Sequence, residues 1–166
     1  RVDAATVVVA ISETLVEELP ELQLTLVQAL AKGDRDELAV QAATELGALK
    51  VIPWQATRSV SRWEGPKAAK GQARWQTIAT EAAKQSLRSF IPEVKPALTT
   101  AELIAELKSF ELVLVLDPNG KQNLSGVKLP ESGKVAIVVG PEGGIAAEEL
   151  TVLGGETVSL GANVLR

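Results

Sequence analysis

The sequence has no cysteine and no histidine. Its chemistry therefore falls to carboxylates, lysines, arginines, hydroxyls, amides or a bound cofactor. A Cys nucleophile, a Ser-His-Asp triad, a Cys/His zinc site and a disulfide are excluded by composition. Two groupings could still act on a ligand. One is a row of cations with a single carboxylate between residues 67 and 88. The other is Gly140-Pro141-Glu142-Gly143-Gly144, which follows an apolar run.

At 100° per residue, Lys67, Lys70, Arg74, Glu81, Gln85 and Arg88 fall within about 60° of arc on one helix. Trp75, Ile78, Ala79, Ala82 and Ala83 lie on the side toward a core. A solvated face usually mixes signs as Glu/Lys pairs four apart. This row is mostly cationic, and cations at helical spacing can meet successive phosphates and release their counterions. Contact with a polyanion is the favoured reading over a solvated face. Glu81 stands out among the cations. It either pairs with Arg74 or Arg88 or is a catalytic or base-reading carboxylate. Arg58 and Arg62 precede the helix, interleaved with Trp54 and Trp63, a pattern that suits RNA stacking. All three tryptophans also fit a core, Trp75 most clearly.

Ligands of open α/β sheets bind beyond the carboxyl ends of strands, and Gly140–Gly144 stands at such a place. It is neither the GxGxxG nor the GxxxxGK[ST] pattern, so a Rossmann dinucleotide site or a P-loop is not supported. Spacing alone favours a tight strand–helix turn. A second glycine turn, Leu160-Gly161, follows the next strand and could complete one pocket with the first.

The elements that would hold these groups alternate. Leu22–Leu30 reads as a strand. Asp34 opens a helix with Glu37 as a capping box, Leu38, Ala42 and Leu46 on one face, and Gly47 as its stop. Val51–Trp54 is a strand whose proline favours an edge or an end. Pro66 opens a helix to about Leu87, and Thr99 with Glu102 caps another. Leu112–Leu116 and Val135–Val139 are strands buried on both faces. Ala146–Leu153 is a helix and Glu156–Leu160 the last strand. Lys121–Gly133 reads as a loop. This is an α/β fold with a mostly parallel sheet flanked by helices.

The 166 residues make one domain with a short appendage, and 46% hydrophobic with 23% charged residues is a globular composition. No apolar run reaches the roughly 20 residues of a membrane span. The net charge is −4, yet residues 50–90 set Lys50, Arg58, Arg62, Lys67, Lys70, Arg74, Lys84 and Arg88 against only Glu64 and Glu81. A basic segment in an acidic chain points to a polyanion-facing surface. The chain opens at Arg1 and has no Met, which reads as a piece of a longer protein. Residues 1–21, with the β-like run Thr6–Ile11 and the acidic stretch Glu13–Glu21, read as the end of a preceding domain and a linker.

The string Val139-Gly-Pro-Glu-Gly-Gly144, followed by Leu160-Gly-Ala-Asn-Val-Leu-Arg166, resembles two signature segments of SPOUT-class methyltransferases. Lys32-Gly-Asp-Arg35, Glu45-Leu-Gly47, Ile52-Pro53, Ala73-Arg-Trp75 and Glu81-Ala-x-x-Gln85-x-x-Arg88 narrow the resemblance. Over residues 22–166 the chain resembles the 16S ribosomal RNA (uracil-N3)-methyltransferase family. The resemblance implies a C-terminal trefoil knot and S-adenosylmethionine as methyl donor. It implies a cofactor site at Leu114, Leu116, Gly140, Pro141, Gly143, Gly144, Leu160, Gly161 and Leu165. It also implies a homodimer acting on the 16S rRNA of the small ribosomal subunit in the cytoplasm, with no metal and no membrane, and a PUA-like RNA-binding domain of which residues 1–21 are the remnant. Arg58, Arg62, Lys67, Lys70, Arg74 and Gln85 would hold RNA. For the reaction, Glu81 or Glu142 is the candidate base, and Arg88 or Arg166 could instead stabilise the uracil imide anion, the favoured route. Two departures stand out. The family usually continues past Arg166 into a Thr-containing helix that completes the knot, and Asn163 stands where the family commonly has Arg. The alternative is an RNA-binding domain that keeps the fold without catalysis.

Overall fold

Apolar strands and amphipathic helices alternate in the computed structural model, which describes residues 8–161. The order is β1 (Leu22–Ala29), α1 (Arg35–Glu45), β2 (Lys50–Gln55), α2 (Pro66–Gln85), β3 (Glu93–Val94), β4 (Leu98–Thr99), α3 (Thr100–Leu107), β5 (Leu112–Leu116), β6 (Gln122–Asn123), a single 3-10 turn (Leu124–Gly126), β7 (Gly133–Val139), α4 (Ala147–Leu153) and β8 (Glu156–Ser159). The eight strands form one sheet in the order β3-β2-β1-β7-β5-β8-β6, with β4 also on β2. Its pairings are parallel, as expected where helices supply the crossovers.

Side chains of a strand alternate between faces, so β1 feeds two cores. Leu26 and Leu30 pack with Val40, Trp75 and Ala79 beneath α1 and α2. Val27 and Ala29 pack with Leu103, Leu107, Val138 and Leu153 beneath α3 and α4. A third cluster, Leu114, Val135 and Val158, lies under Leu124 and Val127. Pro53 explains its own place. β3 pairs with Lys50 and Val51, and β4 with Trp54 and Gln55. The residue without an N–H therefore falls in the gap between two short edge strands.

Several expectations change. Thr6–Ile11 is no strand over its described part, Val8–Ile11, where Val8, Val9 and Ile11 are exposed. Among the described residues no strand pairs with it, and a strand needs a partner. Residues 121–133 are not simply a loop, because β6 and the 3-10 turn lie within them and β6 pairs with β8. On α1 the inward face is Asp36, Val40 and Thr44, while Leu38 and Leu46 are exposed. Both stripes have a spacing of four. Ala39 and Ala43, packed against the α2 core, let the two helices approach and settle which stripe turns in. Asp34 makes no side-chain cap. Both Glu37 oxygens accept from the Arg74 guanidinium, and this bidentate charged pair outcompetes the reach back to a backbone N–H. The Thr99–Glu102 capping box forms in full.

After β1 the chain leaves toward β2, and after β7 it leaves the other way, toward β8. The two strands are neighbours, so their carboxyl ends flank a topological switch point, where open sheets of this class place ligands.

Candidate functional site

A cleft of about 660 Å³ opens at that switch point, lined by Gln28, Ala31 and Arg35 from the β1–α1 side, Leu116, Asp117 and Pro118 after β5, and Val139–Glu142, Gly144 and Ile145 after β7. Its size falls in the range of small-molecule sites, about 300–1,000 Å³. The glycine loop is held tightly. Gly144 has φ +71 and its N–H donates to Pro141 O at 2.8 Å. A Cβ at Gly140 would come within 2.6 Å of Ile145 Cγ1, so a side chain there would push the loop off its seat.

Two contacts fix this loop to the rest. Arg58 Nη1 donates to Gly143 O at 3.0 Å. The Lys32 N–H donates to Glu142 Oε1 at 2.7 Å, joining the two sides of the switch point. Hydrogen bonds from its own backbone N–H and from Lys32 hold the Glu142 carboxyl below the ordinary range. Below the loop, buried Glu149 accepts from Thr57 N–H at 2.9 Å and Thr100 Oγ1 at 2.7 Å. Burial pushes Glu149 up, but the hydrogen bonds from Thr100, Thr57 and Ala146 outweigh it and hold the carboxyl low.

A second cavity, of about 310 Å³, lies across the Ala31–Gly33 segment. It is lined by Lys32, Asp36, Glu37, Val60, Ser61, Trp63, Gly71, Arg74 and Trp75. Trp63 and Trp75 meet edge to face at 4.9 Å. Asp36 is buried and accepts from the Ala31 N–H at 3.0 Å and the Glu37 N–H at 2.8 Å. Burial raises its pKa despite these bonds.

The cationic row is divided by the direction of α2. The helix starts beyond the carboxyl end of β2 and returns to the opposite sheet edge, where β3 pairs with the start of β2. Arg58 touches the cleft's glycine loop and Arg74 lines the second cavity, while Arg62, Lys67 and Lys70 lie on the same end of α2 or just before it; none of the five lines the cleft itself. Glu81, Gln85 and Arg88 lie toward the other end of α2 or just past it. Glu81 pairs with Lys84 at 2.8 Å, rather than with Arg74 or Arg88. Glu81 and Gln85 border a groove with Gln41 and Glu45 on α1. Arg88 donates to Glu45 O from Nε and Nη2 and lies over Gly47. Glu81 and Arg88, expected to be catalytic, do not reach the cleft of their own chain, because a helix antiparallel to the strands carries its last turns away from the strands' carboxyl ends.

Of the expected cofactor residues, Leu116, Gly140, Pro141 and Gly144 line the cleft and Gly143 is anchored behind it. Leu114 is buried in the core two residues below Leu116 on the same face. Leu160 and Gly161 are exposed at the end of β8 and do not line the cleft. Leu165 and Arg166 lie outside the described residues. Trp54 and Trp75 are core residues, 0% and 2% exposed, and Trp63 is half-buried. Sequence reasoning missed Gln28, Arg35 and Glu149. A polar residue near the end of an apolar strand was the available signal for Gln28. Nothing local marks Glu149. Among the described residues, no group of three or more His, Cys, Asp or Glu could hold a metal ion, and no helix is long and apolar enough to cross a membrane.

The family described as RNA methyltransferase domain matches residues 17–166. The ribosomal RNA small subunit methyltransferase E of Mycobacterium bovis is 41% identical over 150 residues, which cover 86% of this chain and 57% of that protein. The protein of the same name from Bacillus subtilis is 38% identical over 159 residues, covering 90% of this chain and 62% of its own length. The chain thus spans about three fifths of these relatives. Among solved structures, a ribosomal RNA small subunit methyltransferase E from Neisseria gonorrhoeae, bound to S-adenosylmethionine, superposes with a TM-score of 0.79. It is 33% identical, and the match covers 87% of this chain and 60% of that one.

Proposed function

Because the chain belongs to the RNA methyltransferase domain family, we propose that it is the catalytic domain of an S-adenosylmethionine-dependent enzyme that methylates N3 of a uridine in 16S rRNA. The observation that carries this reading is the cleft at the β1/β7 switch point, roofed by Gly140–Gly144, with Arg35 in its lining and Arg58 against the loop. Its lining suits the cofactor. Leu116, Val139 and Ile145 offer apolar walls for an adenine, Gly140 and Gly144 expose backbone, Asp117 and Glu142 bring negative charge near a sulfonium, and Arg35 can meet a carboxylate.

S-adenosylmethionine, when bound, supplies an electrophilic methyl group on sulfur. The chain's work is positioning and electrostatics. The N3–H of uracil is about as acidic as a phenol, with a pKa of about 10, and its proton must leave. Glu142 is a poor acceptor for it, because its carboxyl is held low and one oxygen already takes the Lys32 N–H. Arg166 stabilising the imide anion is the route we retain. Arg58 and Arg62 with Lys67, Lys70 and Arg74 hold phosphates around the N-terminal half of α2. The reading includes a C-terminal trefoil knot, which in this family a helix past Arg166 completes. It further includes a homodimer, a PUA-like domain ending within residues 1–21, and action on small ribosomal subunits in the cytoplasm.

The test is methyl transfer by the intact protein from labelled S-adenosylmethionine to small subunits from cells lacking the enzyme. Labelled N3-methyluridine is the expected product. No label on subunits or on naked rRNA overturns the reading and leaves an RNA-binding domain without catalysis.

A further inference from the structure

The second cavity has no task in the reading above. It lies beside the cleft and shares Ala31 with it as a wall. Its back is Trp63, a half-buried ring with one face on α2. A Cβ at Gly71 would fall 2.4 Å from Trp63 Cε2, so the absence of a side chain at position 71 lets the ring lie flat on the helix. The Trp63 backbone N–H donates to Gln55 Oε1 at 2.8 Å, which fixes the segment that carries the ring, and the edge contact with Trp75 sets the ring's tilt. The indole is thus held in place before any ligand arrives. Val60, 73% exposed, adds an apolar surface at the rim.

Charge points to the occupant. Lys32 and Arg74 line the cavity, and Lys70 precedes Gly71 on the helix with no carboxylate partner among the described residues. The cavity's two carboxylates are occupied. Each Asp36 oxygen accepts from a backbone N–H, and each Glu37 oxygen from Arg74. A flat, apolar-faced group attached to a polyanion fits this combination: the ring stacks on Trp63 while its phosphates meet the lysines.

We propose that this cavity is a stacking subsite for an unpaired nucleobase of the RNA that flanks the nucleotide presented to the cleft, with Trp63 as its platform. The proposal rests on RNA being the ligand, as in the preceding reading. Stacking on an indole face is open to every base, and the subsite's role is to set the strand's register across the Ala31–Gly33 segment.

Tryptophan fluorescence of the intact protein tests this directly, because Trp54 and Trp75 are buried. A short single-stranded oligouridylate should quench emission saturably in the wild type. In Trp63→Phe the part of the quench that Trp63 carries should be lost while RNA affinity stays within about threefold, since a phenyl ring still stacks. Trp63→Leu should weaken RNA binding about tenfold, the scale of one base on one aromatic ring, with cofactor affinity unchanged. RNA bound by the wild type without a Trp63-dependent quench overturns the proposal, as does Trp63→Leu binding RNA like the wild type. Methyl transfer is scored separately. Its absence from the wild type sinks the proposed activity, whereas a missing quench in an active enzyme sinks only the stacking subsite.

Discussion

The cleft and the neighbouring cavity share a wall but are made of different material. The cleft is built from backbone at three strand ends, Ala31, Asp117 and Gly140–Gly144, and its shape follows from sheet topology. The cavity is built from side chains on two helices and one loop, Trp63, Trp75, Glu37 and Arg74, and its shape follows from rotamers and an ion pair. A backbone site is hard to retune by single substitutions but vulnerable wherever a glycine permits close approach. A side-chain site is easily retuned and fails locally. This division suits the proposed function, one invariant cofactor held next to a surface that accommodates a polymer.

The hardest blow to the backbone region is Gly120→Ala. A Cβ there would meet Val158 C at 2.3 Å and Ser159 N at 2.5 Å, so the turn carrying Asp117 must lift off β8. We expect a loss of about 2–3 kcal/mol of stability in chemical denaturation, with cofactor binding abolished in calorimetry. Gly71→Ala strikes the other region. The Trp63 ring must rise from α2, at a cost of about 1–2 kcal/mol. RNA affinity should fall, while calorimetric cofactor affinity stays within twofold. An equal loss of both ligands would show that the two regions are one unit.

Acid should separate them more gently. Glu142 is held low, so its latch to Lys32 is intact at neutral pH and is lost as pH falls through its depressed pKa. Asp36 is raised, chiefly by burial, so its charge opposes folding at neutral pH and that cost is relieved as pH falls through its elevated pKa. With the intrinsic pH dependence of exchange divided out, protection at the Glu37 amide should change at a higher pH than protection at the Lys32 amide, because Asp36 takes up its proton above the ordinary carboxylate range and Glu142 below it. Parallel changes at both amides would contradict the assignment. The smallest effect concerns salt. Lys70→Ala should reduce the slope of log affinity against log salt by about 0.7–0.9, one phosphate's worth. Arg74→Ala should reduce it by less, because Glu37 already neutralises that guanidinium. Equal slopes would mean that the ion pair opens on RNA.

Much of this molecule was legible without coordinates. Apolar runs such as Leu112–Leu116 and Val135–Val139 announce buried strands because no solvated structure tolerates them. Thr99 with Glu102 announces a cap because both partners lie within one turn. Gly140–Gly144 announces a tight turn between a strand and a helix because strand–loop–helix order is itself local. The tertiary structure alone decided that Leu38 and Leu46 face out while Val40 faces in, that Arg74 pairs with Glu37, and that Glu81 and Arg88 stand at the far edge from the cleft. It alone supplied Glu149 as the support beneath the Arg58 segment. The physical reason is common to all four. Periodicity is a property of neighbours along the chain and identifies a stripe without its partner. Which stripe is buried, which charge is met and which end of a helix reaches a site depend on crossovers that join residues tens of positions apart.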